Sequence, residues 1–147
     1  MPIDKARRVD AIDPAGDVQP PARVLVVDDD EAIRELYSQV LLDMGFLVDV
    51  AGDGDEGLEA LRLQPYSVII SDIKMPRVSG FQFWAGCENV RPGSGQRFIF
   101  TTGCLDILST SEFAVLGERP CIEKPAKLED IQSAVVELLR HVGVLAD

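Results

Sequence analysis

The chain has 147 residues, 46% hydrophobic and 27% charged, with a formal net charge of −11. That balance describes one ordinary soluble globular domain, long enough to bury a core without disulfides or structural metal. So acidic a chain argues against direct contact with nucleic-acid phosphates and against adhesion to anionic membranes. Apolar runs no longer than four residues exclude a transmembrane span.

Residues 1–21, with Pro14, Pro20 and Pro21 and no sustained periodicity, are expected to be a flexible N-terminal tail. They contain no apolar signal core. The folded domain is expected over 22–147. "RVLVV" (23–27) is short, β-branched and unbroken, as a strand buried on both faces is. Ile33, Leu36, Tyr37, Val40, Leu41 and Met44 then recur at helical spacing, and Gly45 stops that helix. "LVDVA" (47–51) reads as a second strand and "GDEGLEALRLQ" (54–64) as a second helix ended by Pro65. "SVIIS" (67–71) is a third strand, followed by a helix over about 80–90 and a loop at "RPGSGQ". "FIFTT" (98–102) is a fourth strand, 106–117 a weakly patterned fourth helix and "CIE" (121–123) a short fifth strand. Leu128, Ile131, Val135, Leu138, Leu139 and Val142 mark a last helix. Strands alternating with helices imply an α/β fold, a five-stranded parallel sheet with helices on both faces.

Function in such a sheet gathers at the carboxyl ends of the strands. The first strand ends in Asp28 and Asp29, the third in Asp72, the fourth in Thr101, Thr102 and Gly103, and the fifth in Lys124-Pro125. Three close carboxylates repel one another unless a cation joins them. Oxygen donors with no His or Cys nearby suit Mg²⁺, which favours one or two carboxylates plus phosphate oxygens. Taken alone, Asp28 to Glu31 reads more readily as an acidic loop that caps a helix than as a metal site. Asp30 and Glu31 fit that role at the start of the first helix. "DGDEG" (53–57) lacks the sixth-position glycine and the twelfth-position glutamate of a calcium loop, so it reads as a turn and helix start. The single histidine, His141, falls in the last helical turn, which leaves no histidine-based metal site or triad. Trp84, Phe81 and Phe83 read as packing residues of the third helix. Cys87, Cys104 and Cys121 form no CxxC pair, which suits a reducing cytoplasmic setting.

The acidic pair after the first strand, "D-x-x-M-P-x-x-x-G" from Asp72 to Gly80, Thr102-Gly103 and Lys124-Pro125 occur in one order and spacing. Over roughly residues 22–142 the chain resembles the receiver domain of two-component response regulators. The resemblance implies a flavodoxin-like (βα)5 fold and a phosphorylation switch. In that switch Asp72 accepts a phosphoryl group from a histidine kinase, and the domain catalyses only its own phosphorylation and dephosphorylation. Mg²⁺ is then held by Asp28, Asp29, Asp72 and the backbone carbonyl of Lys74, with Asp28 acting mainly through an ordered water. Lys124 and Thr102 bind phosphoryl oxygens, and the Lys124-Pro125 bond is a candidate for the cis isomer. The implied partners are a sensor histidine kinase or histidine phosphotransfer protein and a downstream effector protein. A phosphorylation-dependent homodimer stays open.

Two departures follow from the same comparison. Receivers carry Tyr or Phe three residues before the lysine, and here that position is Cys121. The signal is therefore expected to leave through the loop after Thr102 and the fourth helix. Lys74, two beyond the acceptor, and Cys104, two beyond Thr102, occupy positions that modulate water's access to a phosphoaspartate. Met1 and its 21-residue lead favour a stand-alone receiver over an excised piece. Two alternatives remain open. One is a haloacid-dehalogenase-like Mg²⁺ phosphatase with Asp28 as nucleophile, and the other is a docking module that is never phosphorylated. A flavin site is excluded, because no Ser/Thr- and Gly-rich phosphate loop follows the first strand.

Overall fold

The structure is a computed structural model that describes residues 22–103, 108–117 and 119–144. Strands β1 (Arg23–Val27), β2 (Leu47–Ala51), β3 (Val68–Asp72), β4 (Phe98–Thr102) and β5 (Cys121–Glu123) form one parallel sheet in the order β2-β1-β3-β4-β5. This is the flavodoxin-like order, whose connections reverse direction between β1 and β3 and open a crevice above their carboxyl ends. Helices α1 (Glu31–Asp43), α2 (Gly54–Leu63), α3 (Gly80–Val90), α4 (Thr110–Leu116) and α5 (Leu128–His141) join the strands.

Each strand presents alternate residues to opposite faces, and both faces are covered. On one side Val24, Val26, Val68, Ile70, Ile99 and Ile122 pack against Tyr37 and Leu41 of α1 and Ile131, Val135 and Leu138 of α5. On the other, Leu25, Val27, Ile69, Phe98 and Phe100 meet Leu61 of α2, Phe83 and Cys87 of α3, and Leu116 of α4. The Phe83–Phe98 and Phe81–Phe100 rings lie 5.1 Å apart in tilted and edge-on arrangements. Each such pair stabilises by about 1 kcal/mol beyond simple burial.

Local signals set the helix ends. Asp30 caps α1 by accepting from the Ala32 and Ile33 amides. Gly45, at φ 98°, closes that helix, with the Phe46 amide bonded back to the Leu41 carbonyl at 3.0 Å. Asp53 caps α2, so "DGDEG" is the turn and helix start its composition suggests. Ser79 and Gln82 form a reciprocal capping box on α3.

Boundaries differ from the sequence reading in several places: α2 ends at Leu63 and β3 begins at Val68, one residue earlier and one later than expected. β3 runs one residue further, through Asp72, because parallel pairing with Thr101 continues to that point. The fourth helix is described only over Thr110–Leu116, and the start expected at 106 lies outside the described residues. The "RPGSGQ" segment contains a 3-10 turn, Ser94–Arg97, held because the Glu88 carboxylate accepts from the Gly93 and Gly95 amides. The expected tail at 1–21 also lies outside the described residues. No helix among the described residues is long and apolar enough to cross a membrane.

Candidate functional site

The acids that follow β1 build their own turn. The Asp28 amide still bonds to the Ala51 carbonyl at 3.1 Å, extending the strand pairing. Asp28 Oδ1 then accepts the Asp30 amide at 2.9 Å, and the Asp28 carbonyl accepts from Arg34 Nη1 of α1 at 2.8 Å. Asp28 is therefore buried and fixed, whereas Asp29 stands exposed at the rim. Asp72, 6% exposed, closes β3, and the amide of Ile73 bonds across to Thr101 at 2.9 Å. The chain then turns through Lys74 to Ser79 and returns at Gly80. A Cβ at position 80 would stand 2.2 Å from the Asp72 carbonyl oxygen, so only glycine fits against the end of β3.

Two further strands complete the rim. Thr102, fully buried, ends β4, and its carbonyl accepts the Lys124 amide at 2.7 Å. The Lys124-Pro125 bond is cis, as the sequence suggested. Lys124 Nζ lies 2.9 Å from Asp28 Oδ2 and 3.1 Å from Asp72 Oδ2, joining residues 96 and 52 positions apart in the chain. Asp28, Asp29 and Asp72 each offer an oxygen, all within 4.8 Å of one another. Three carboxylates at that spacing, with no nitrogen or sulfur donor among them, form a donor set that fits a small hard dication such as Mg²⁺.

Electrostatics follow from burial and pairing. Burial raises the Asp72 carboxyl above its ordinary range; Lys124 opposes that shift and the nearby Asp28 charge adds to it. For Lys124, burial alone would lower the ammonium. Its hydrogen bonds and charge interactions with Asp28 and Asp72 outweigh burial, and the group sits above its ordinary value.

The residues named from sequence thus divide. Asp28, Asp29, Asp72, Thr102 and Lys124 come together at one rim. Lys74 is exposed on the loop beyond Asp72, with its amide bonded to the Asp72 carboxylate. Cys121 is half-buried against the α2–α3 side of the core, and burial pushes its thiol up to about 11. Cys104 lies outside the described residues. Sequence reasoning missed Arg34 and Arg77. Arg77, at φ 64°, is ion-paired with Asp53 and ties the β3–α3 loop to the start of α2. A positive φ on an arginine and a partner 24 residues away leave no sequence signal.

Comparison with known proteins agrees with this geometry. The response regulator receiver domain model matches residues 24–136. A probable chemotaxis protein CheY of Rhizobium etli is 32% identical over 114 residues, which is 77% of this chain and 88% of that protein. Response regulator MprA of Mycolicibacterium vanbaalenii is 31% identical over 122 residues, 82% of this chain but 52% of its own. The chain spans about half the length of that and several other curated relatives. Among solved structures, chemotaxis protein CheY4 of Vibrio cholerae superposes with a TM-score of 0.73 at 29% identity, over 81% of this chain and 99% of that one. A receiver domain from Methanospirillum hungatei gives 0.72 at 26% identity, over 82% and 95%. With the buried aspartates, the strand-end threonine and the bridging lysine all at one rim of this sheet, the chain belongs to the response regulator receiver domains of two-component signalling.

Proposed function

We propose that Asp72 is the phosphoryl acceptor of this receiver. The supporting observation is Lys124, whose ammonium bonds Asp28 and Asp72 together from the far edge of the sheet. A carboxylate so held is aimed and partly desolvated, which favours attack on a phosphorus centre. An Asp72 oxygen forms the new P–O bond while the P–N bond to a phosphohistidine breaks and the imidazole leaves with the electron pair. The donor is a sensor histidine kinase or a histidine phosphotransfer protein, and the product docks on an effector protein.

Asp28, Asp29 and Asp72, with the Lys74 carbonyl, are the residues to hold Mg²⁺, which when bound neutralises charge on the transferring phosphoryl oxygens. Lys124 swings its contact from the Asp72 carboxylate to a phosphoryl oxygen. The Thr102 hydroxyl binds a second, and the Thr102 carbonyl, bonded to the Lys124 amide, keeps the two groups in step. Cys121 supplies no ring to report that change. The response therefore leaves through the segment after Thr102 and through α4. The domain turns over no external metabolite, and nothing among its relatives favours the phosphatase or the unphosphorylated docking module.

Intact mass spectrometry after incubation with acetyl phosphate tests this reading. One phosphoryl increment that requires Mg²⁺ and is absent in Asp72→Ala is expected. An increment that persists in Asp72→Ala would overturn it.

A further inference from the structure

Four buried hydroxyls, those of Tyr37, Ser38, Ser94 and Thr101, have no hydrogen-bond partner among the described residues, and two of them bear on the site. Tyr37 is 2% exposed and Thr101 0% exposed, and neither Tyr37 Oη nor Thr101 Oγ1 has a hydrogen-bond partner among the described residues. A buried hydroxyl without a partner is costly, and native proteins rarely tolerate one unless a water completes it.

Strand alternation puts Thr101 on the face of the sheet that Tyr37 of α1 helps to cover. Val24 and Val26, Ile70, Ile99 and Ile122 all point to the α1–α5 face. The residues two further on, Asp28, Asp72, Thr101 and Lys124, therefore leave the strand ends toward that face as well. Tyr37 belongs to the core on that side, with Ile122 in the same cluster and Ala126 packed against it. These two residues bracket Lys124 in the chain. Burial raises the Tyr37 phenol above its ordinary value; Lys124 opposes that shift, and the Asp28 and Asp72 charges add to it. Lys124 has three N–H donors and uses two, one on Asp28 and one on Asp72. A Lys124 N–H not used on Asp28 or Asp72 and two buried hydroxyls without a partner thus lie on the same side of the sheet, and together they number among the two to four polar partners that an internal water requires.

We propose that Tyr37 and Thr101 hold an internal water that accepts the third Lys124 N–H and positions the ammonium between Asp28 and Asp72. The water accepts from Lys124 and bridges to the two hydroxyls, each of which can donate or accept. Tyr37 and Thr101 are positioning residues and touch no reacting atom. Their effect on phosphorylation rests on the role of Lys124 given above, but the water itself does not.

The test pairs a high-resolution crystal structure of the wild type with phosphorylation rates for Tyr37→Phe, Thr101→Val and the double variant. Ordered water within hydrogen-bond distance of Tyr37 Oη, Thr101 Oγ1 and Lys124 Nζ is expected. Each single variant should take up phosphoryl about fivefold more slowly, the worth of one water-mediated bond to a charged group. The double variant should be no slower than either single one, since one water is lost once. In a Lys124→Met background, Tyr37→Phe should leave the residual rate unchanged, which a merely structural effect would not do. A dry pocket, or variants that melt higher than the wild type and react at its rate, would overturn the proposal. Wild type that shows the water but takes no phosphoryl group at Asp72 would instead sink the acceptor assignment and leave the water site standing.

Discussion

Gly80→Ala is the substitution for which the structure gives the sharpest number. The added Cβ would lie 2.2 Å from the Asp72 carbonyl oxygen, 2.9 Å from Ile73 Cα and 3.0 Å from the Asp72 carbonyl carbon. All three are backbone atoms at the strand end that carries Asp72, so no side chain can rotate away. Non-bonded carbons rest about 3.5–4.0 Å apart, so α3 or the end of β3 must retreat by roughly 1 Å. Overpacking of this kind costs about 1–3 kcal/mol, and a backbone-only clash belongs at the upper end. The entropic gain of replacing glycine offsets about 0.5 kcal/mol of that. A net loss of about 2 kcal/mol lowers the melting temperature by roughly 4–8 °C for a domain of this size. Gly103→Ala is the control, because a Cβ there meets nothing within 4 Å. Circular dichroism melts of the three proteins check the stability. Phosphorylation time courses check the second consequence, since a displaced Asp72 is no longer aimed. Gly80→Ala melting within 1 °C of Gly103→Ala (~1 °C being the resolution such a difference needs) would refute the packing argument.

Other expectations follow from the charges. Removing the cation in Lys124→Met leaves buried carboxylates unpaired, and metal-free stability should fall by about 3 kcal/mol in urea melts. The Lys124 value is raised in the fold. Its contribution is therefore complete below the ordinary lysine value of about 10.4 and is lost as pH rises through the folded one, so the two proteins should converge at alkaline pH. Asp72→Asn should melt higher than the wild type near neutrality. Burial raises the Asp72 carboxyl, so its ionised form opposes folding above the ordinary range, and that penalty fades as pH falls. A lower melting point would contradict this. Asp53 is held low, first by the Glu56 amide and then by Arg77. Its stabilisation is present above the ordinary aspartate value of about 3.9 and disappears as pH falls through the folded value. Asp53→Asn, which keeps the cap, should flatten the acid limb of an equilibrium titration while costing under about 1 kcal/mol at neutral pH, because Arg77 is largely exposed. Lys74→Ala, at an exposed position two residues beyond Asp72, should change the decay rate of the phosphoprotein, and identical decay would show that Lys74 has no such effect.

Much of the site was legible because it is assembled from strand ends. A buried parallel strand announces itself as an apolar run, and the polar residues at its carboxyl end mark the rim. Asp28, Asp72, Thr102 and Lys124 were found that way. The sheet order brings them together from positions far apart in sequence. What escaped depends on groups that periodicity cannot weigh. Tyr37 fits the apolar stripe of α1, and the pattern says nothing of its hydroxyl. Thr101 reads as one more β-branched strand residue. Arg77 adopts a backbone conformation for which its side chain gives no cue, and its partner Asp53 sits on another helix cap. The 3-10 turn Ser94–Arg97 is polar and glycine-rich, and is ordered from outside by Glu88 and by Trp84 Nε1 bonded to the Gly95 carbonyl at 3.1 Å.

The acceptor proposed for the phosphoryl group, Asp72, can be located directly. Reducing the acetyl-phosphate-treated protein with borohydride converts an acyl phosphate to homoserine, and peptide mass spectrometry then locates the changed residue. Homoserine at position 72 alone is the expected result. Homoserine at position 28 or 29, with Asp72 intact, would contradict the account and return Asp28 to consideration as the nucleophile.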